Sequence, residues 1–406
     1  MRSRSEHCQS LLTGYTILMA KSTRKIYLDY ASSALQSSAN PGAIHELGVK
    51  EKNKLENARA IVARILNAHN DEVVFTSGAT ESNNLAILGL VQNVKKPHTL
   101  TTNIEHASVL EVYKHLEETK QAKVTFVEVE KNGIIDPKKI KKFLTKDTVL
   151  VSVMYANNEI GTIEPLREIA KEIRHWNKVN NKKIYFHTDA TQAVNYLPID
   201  VEKLSVDLMS FNGAKIYGPK GVGVLYIRRG TPITKIMFGG DQEGGLRPGT
   251  ENVAGILELA RALETTEKTK EKETKRLIIL RNYFINKMQH SNILKNIGMI
   301  INGDLENRLP NNVNITIPSI PSDLLVIELS ARGVMASAKS ACKAGDGKAS
   351  HVIEAIRKDT DLSRRSSAEE DGSLRFSLGR QTTKKDIDDT VQALSQILTK
   401  LKKWYN

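Results

Sequence analysis

The chain has 406 residues, of which 40% are apolar and 26% charged, and its formal net charge is +13. That length implies a large domain with a smaller one rather than a single small core, and no uninterrupted apolar run is long enough to cross a bilayer. Cys8 and Cys342 are the only cysteines, which excludes a disulfide framework and points to a reducing, cytoplasmic setting. A basic balance can signal nucleic acid. Here the lysines alternate with glutamates, as from Glu267 to Arg281, and no aromatic cluster accompanies them. Direct nucleic-acid binding is therefore not expected as the main function, and no metal site is expected.

Residues 1–25 show no structural pattern and read as an extension, disordered or untranslated. Met19-Ala-Lys-Ser-Thr-Arg-Lys would itself serve as a start. From there apolar strands alternate with amphipathic helices, the pattern of an α/β fold with a mostly parallel sheet flanked by helices. Leu55, Ala58, Ile61, Val62, Ile65 and Leu66 recur at helical spacing. Val73–Phe75, Thr148–Met154, Ile184–His187, Asp207–Phe211 and Val222–Ile227 read as five strands. Leu257–Met288 predicts one long charged helix, Asn312–Ile317 and Leu374–Leu378 two strands of a smaller α+β domain, and Ile387–Leu401 a closing helix. Ser363–Gly372 reads as an exposed loop. The boundary falls between 26–262 and 263–406.

In open α/β sheets ligands bind where strands end, and four of the five strand ends carry polar clusters. Thr76-Ser-Gly-Ala-Thr-Glu-Ser82 follows a strand and opens a helix. It suits a phosphate, with backbone N–H groups and the Thr80 hydroxyl, as well as it suits an ordinary N-cap. Asp189 could hold a ring nitrogen protonated or cap a turn. Lys215, in a small-residue turn before Gly-Pro-Lys-Gly, is a candidate Schiff-base former, with Lys220 as its rival. Asn157 and Asn158 could orient a ring oxygen or a carboxylate, or simply form a turn. His106 offers a ring that is as readily structural, and Arg375 a planar fork for a carboxylate or a salt bridge. Cys342 lies among small residues with Lys339, Lys343 and Lys348, a setting that favours an exposed thiolate. By itself it reads most simply as a loop thiol. Together the set fits pyridoxal phosphate (PLP) acting on an amino acid.

From Ile26 to Leu398 the chain resembles the cysteine desulfurases of the NifS/IscS type. The resemblance rests on Tyr27-Leu-Asp-Tyr30, Ser77-Gly-Ala-Thr-Glu-Ser82, Glu105-His106, Asn157-Asn-Glu-Ile-Gly161, Asp189 with Gln192, Lys215 with Gly-Pro-Lys-Gly, Arg247-Pro-Gly-Thr-Glu-Asn252 and Arg375-Phe-Ser-Leu-Gly379, in the family's order. It implies the PLP-dependent transferase fold type I and a homodimer. It implies conversion of L-cysteine to L-alanine, with sulfur passed as a persulfide to an acceptor protein of iron–sulfur assembly or tRNA thiolation. By matched position Lys215 would carry PLP, and Asp189 would pair with its ring nitrogen. Gln192 and Asn158 would lie on the ring oxygen side, while Ala79, Thr80 and Asn212 would hold the phosphate. His106 would stack on the ring and assist proton transfer. Thr250 would reach the neighbouring subunit's cofactor, Asn158 and Arg375 would bind substrate, and Cys342 would take the sulfur.

Three departures stand out: a shortened segment between Tyr30 and Ser38, Asn212 and Ala214 where the family often has serine and histidine, and Lys339 where it has glycine. The alternatives within reach of this sequence are a selenocysteine lyase, another aminotransferase-like enzyme, or a sulfur carrier that has lost catalysis.

Overall fold

The computed structural model describes residues 28, 29, 31, 39–338, 350–357 and 372–401. The N-terminal extension, the shortened segment after Tyr30, Lys339 and Cys342 lie outside the described residues, as does the Ser363–Gly372 stretch apart from Gly372.

Helix α1, Glu46–Leu66, forms because Leu55, Ala58, Val62 and Leu66 fall three or four residues apart and all bury on one face. His45 caps its start by accepting the Gly48 N–H at 3.2 Å, and Asn67 ends it in the left-handed region at φ 57°. Seven strands follow in one sheet: β1 Val73–Thr76, β2 His98–Thr102, β3 Lys123–Val127, β4 Thr148–Ser152, β5 Tyr185–Asp189, β6 Leu208–Asn212 and β7 Gly223–Ile227. Their spatial order is β1-β7-β6-β5-β4-β2-β3. From β3 to β6 neighbouring strands are parallel, and β7 runs antiparallel to both β6 and β1. The intervening helices are α2 Ala79–Val91, α3 Ala107–Glu118, α4 Pro137–Phe143, α5 Leu166–Asn180, α6 Val201–Leu204 and α7 Val253–Gln289.

Successive strand residues enter opposite cores. Val74, Leu208 and Leu225 join Leu85 and Leu90 of α2 and Tyr113 of α3, whereas Phe75, Met209 and Tyr226 join the core shared with α1, α5 and α7. A sheet covered on both faces has near-continuously apolar strands, which is why β1, β4, β5, β6 and β7 were legible. β2 and β3 go beyond the five strands expected. His98, Thr99, Thr101 and Thr102 of β2 are polar yet buried. The His98 ring is held between the hydroxyls of Thr148 at 2.8 Å and Thr125 at 2.9 Å on the flanking strands, so burial is possible without an apolar signal.

The smaller sheet is antiparallel, in the order β10-β9-β8, with β8 Ile300–Ile301, β9 Asn312–Ile317 and β10 Gly372–Ser377. Gly372, expected in a loop, is the first residue of β10 and pairs with Ile317. Helices α8 Asn292–Asn296, α9 Ser322–Ser330, α10 His351–Arg357 and α11 Lys384–Leu401 accompany this sheet. Helix α7 runs unbroken for 37 residues, about 55 Å at the usual rise, through the expected 262/263 boundary. Phe284 of α7 meets Phe376 of β10 edge-on, ring centres 5.1 Å apart, fastening the small sheet to the helix that also packs on α1.

Candidate active site

The polar residues gather where the parallel strands end. Ala79 and Thr80 follow β1, His106 follows β2, Asn158 follows β4, Asp189 closes β5 with Gln192 just beyond, and Asn212 closes β6 with Lys215 just beyond. Arg375 reaches in from β10. These nine residues line one cavity of about 640 Å³. Thr250 is exposed and outside that lining, and Lys220 is likewise exposed and outside it. Among the described residues no His, Cys, Asp and Glu grouping suits a metal ion.

At one end the cavity meets the start of α2. The N-cap residue there is Gly78, and no side chain caps the helix. The N–H groups of Ala79, Thr80 and Glu81 therefore have no acceptor within the helix. Thr76 Oγ1 is spent on Ser82 Oγ at 2.8 Å and the Gly78 carbonyl at 3.1 Å. A methyl group on Gly78 would meet nothing within 4 Å, so space remains beside these donors. Gly223 makes the approach possible: its Cβ would lie 2.6 Å from the Gly78 backbone. Glu81 accepts the Ser77 N–H at 2.7 Å and the Arg247 Nε at 3.1 Å, which ties the segment leading to Thr250 to this corner.

Asp189 is 5% exposed. Its Oδ1 accepts the Thr191 N–H at 2.9 Å, and its Oδ2 accepts Asn83 Nδ2 at 2.8 Å. It is a turn cap and a cavity carboxylate at once. His106 has the same double character: it caps α3, with the Ser108 N–H donating to Nδ1 at 3.1 Å, and it lines the cavity. Two residues before Asp189, burial holds His187 neutral, its pKa lowered to about 4 against the opposing pull of Asp189. Burial pushes Glu105, next to His106, up to about 8, although Met154 N–H and the Thr102 hydroxyl both donate to its Oε1 at 2.8 Å. Glu164 is raised to about 8 for the same reason.

Asn212 Oδ1 accepts the Lys215 N–H at 3.2 Å and so shapes the short 3₁₀ turn that presents the lysine. Asn195 Nδ2 donates to the Lys215 carbonyl. Two residues on, Tyr217 sits at φ 60°, unusual for a bulky residue. Its hydroxyl accepts the Arg380 N–H at 3.0 Å while the Arg380 guanidinium lies 4.0 Å over its ring. The lysine turn and the end of β10 are thereby joined. Arg375 is fixed from both sides: its backbone exchanges two hydrogen bonds with Ser337, at 2.7 and 3.1 Å, and its Nη1 donates to the Asn158 carbonyl at 3.1 Å.

Of the two adjacent amides, only Asn158 faces the cavity. Asn157 is fully buried, its Oδ1 accepting the N–H groups of Glu159 and Ile160, so it builds the turn and cannot orient a ligand. Asn83, Ser108, Asn195, Tyr217 and Arg380 escaped the sequence reading. Asn83 lies 106 positions from Asp189, and no local pattern connects them. The positive φ of Tyr217 likewise leaves no mark in a sequence.

The strand order, the single reversed strand and a site at the ends of parallel strands are those of the fold type I class of α/β enzymes. The chain belongs to the aminotransferase class-V family, whose model matches residues 20–390. It is 40% identical over 396 residues to the cysteine desulfurase IscS of Dictyoglomus turgidum, covering 93% of this chain and 96% of that one. It is also 40% identical to the cysteine desulfurase IscS of Methanosarcina thermophila, covering 90% and 87%. A solved NifS-like protein superimposes with a TM-score of 0.79 at 35% identity over 89% of this chain and 92% of that chain.

Proposed function

We propose that the cavity binds PLP and L-cysteine, and that Cys342 receives the substrate's sulfur. The chain is a cysteine desulfurase, as its relatives at about 40% identity are. The observation that carries the site assignment is that residues as distant as Ala79 and Arg375 converge on one cavity. The residues present fit the cofactor. An uncapped helix start with open space suits its phosphate, a buried carboxylate suits a protonated ring nitrogen, and a lysine on a short turn suits its aldehyde carbon.

PLP, when bound, supplies an electron sink that stabilises negative charge on the substrate's α-carbon. The protein does the rest. Asp189, held by Asn83 and the Thr191 N–H, keeps its oxygens aimed. Thr80, Asn212 and the α2 N–H groups would hold the phosphate, and Asn158 and Gln192 would lie on the ring oxygen side. Ala214, with no side-chain donor, would leave Asn212 the larger share on that flank. Arg375 is pre-oriented by Ser337 and Asn158, so it receives the substrate carboxylate with little ordering left to do. The Cys342 thiolate then attacks the substrate sulfur. A sulfur–sulfur bond forms, the carbon–sulfur bond breaks, and after proton uptake L-alanine departs. Because Thr250 is exposed and outside the cavity of its own chain, we assign it to the site of a second copy. The persulfide passes on to an acceptor protein of iron–sulfur assembly or tRNA thiolation.

The test is incubation with PLP and L-cysteine, reading alanine and a persulfide by mass. Alanine release with the extra sulfur on Cys342 is expected. Equal persulfide transfer by Cys342→Ala would overturn that assignment, and PLP trapped by borohydride on Lys220 would overturn Lys215.

A further inference from the structure

Beneath the cavity, Asn83, Asp189 and Ser108 form a buried chain of contacts ending on His106. Asn83 is fully buried on α2, and Asp189 and Ser108 are 5% and 8% exposed. Asn83 Nδ2 lies 2.8 Å from Asp189 Oδ2 and 2.9 Å from Ser108 Oγ. A carboxylate only accepts, so the amide face toward Asp189 is its NH₂, and the same nitrogen spends its second hydrogen on Ser108. Turning the amide would set oxygen against oxygen. The orientation holds even though it leaves Asn83 Oδ1 buried with no partner.

Having accepted from Asn83, the Ser108 hydroxyl has its own proton to give, and His106 Nδ1 is 2.8 Å away. The Ser108 backbone N–H, whose direction cannot change, donates to the same nitrogen at 3.1 Å. An imidazole nitrogen that accepts twice has no place for a proton, so in the neutral ring the hydrogen is on Nε2.

We propose that Asn83 and Ser108 are positioning residues that hold His106 as the Nε2–H tautomer. The ring then offers the cavity a hydrogen-bond donor rather than a lone pair. This rests on the placement of His106 at the bound cofactor, and it revises the role of that residue. A neutral ring already carrying hydrogen on Nε2 cannot take the substrate's α-proton there. It orients a ring or a substrate acceptor instead, and another group removes the proton. The arrangement also couples the two sides of the site, because one amide group of Asn83 serves both the Asp189 carboxylate and the histidine.

The experiment uses the PLP-loaded enzyme with ¹⁵N-imidazole-labelled histidine, the His106 signals being identified by their loss in His106→Gln. An unprotonated Nδ1 and a protonated Nε2 are expected. In Ser108→Ala the shorter hydroxyl donor is lost and only the 3.1 Å backbone donor remains on Nδ1, so the signals move toward a mixture of tautomers, and kcat falls roughly threefold to tenfold, the worth of one hydrogen bond. The KM for L-cysteine stays within about twofold in this variant, and Ser108→Thr, which keeps the hydroxyl, restores both readouts. A protonated Nδ1 in the wild type, or an unchanged tautomer in Ser108→Ala, would overturn the proposal. The tautomer is read without turnover. A wild-type enzyme that releases no alanine would count against the desulfurase reading alone.

Discussion

At Gly223 there is no room for even one methyl group. Its Cβ would stand 2.6 Å from the Gly78 backbone and 2.7 Å from Thr76 Oγ1. None of these atoms is the free end of a flexible side chain, so the backbone at the start of α2 would have to retreat. Gly223→Ala should cost about 1–3 kcal/mol of stability, as overpacking does, and weaken PLP by about tenfold or more, the equivalent of 1.4 kcal/mol. Absorbance titration with PLP and urea denaturation check the two effects separately. Undiminished PLP binding would mean that the turn yields without losing its donors.

Among the elements, the junction of α1, β1 and the Asp241–Asn252 segment depends on one buried ion pair. Arg59 of α1 holds Glu243 through two hydrogen bonds, at 2.7 and 2.8 Å, and donates to the Val73 carbonyl at 2.7 Å. Glu243 also accepts the Phe75 N–H at 2.8 Å, and its side chain is 2% exposed. This pair positions the segment that carries Arg247 and Thr250 beside the start of α2. Removing one partner strands the other charge, so Glu243→Ala should destabilise the fold by about 3–5 kcal/mol. Asp71→Ala, which breaks the exposed Arg229 pair, should have no measurable effect. Urea midpoints of the two variants give the comparison; equal small effects would show that the segment is held by other contacts.

Across the whole molecule, stability should depend on pH through three buried groups. Glu105 and Glu164, both about 8 in the fold, keep protons that the unfolded chain releases near its ordinary carboxylate pKa. Their effect is to lower stability as pH rises toward 8. His187, lowered to about 4, acts the other way: the unfolded chain takes a proton below about 6.5, so stability falls with acid. The opposing slopes partly cancel below pH 6.5. From there to pH 8 the two carboxyls act unopposed, and stability should drop by at most ~2 kcal/mol for each. Thermal denaturation across this range should show the decline, with Glu164→Gln removing about half of it. A flat profile in the wild type would mean that the carboxyls ionise within the fold.

The sequence by itself determined the α/β class, the strands buried on both faces, the long helix and nine of the residues that line the cavity, because those features are written in local periodicity and in motifs at strand ends. It could not show β2, whose buried threonines and histidine are satisfied only by neighbouring strands. Nor could it choose between Asn157 and Asn158, or between a cap and a ligand for Asp189 and His106. Those depend on which groups meet them in the fold, most from distant segments: Asn83 under the cavity, Ser337 beside Arg375, Arg380 over Tyr217. Chain order sets which residues exist to be used, and strand order decides their partners. Hydrogen-bond direction, and with it the proton position on His106, follows from partners alone.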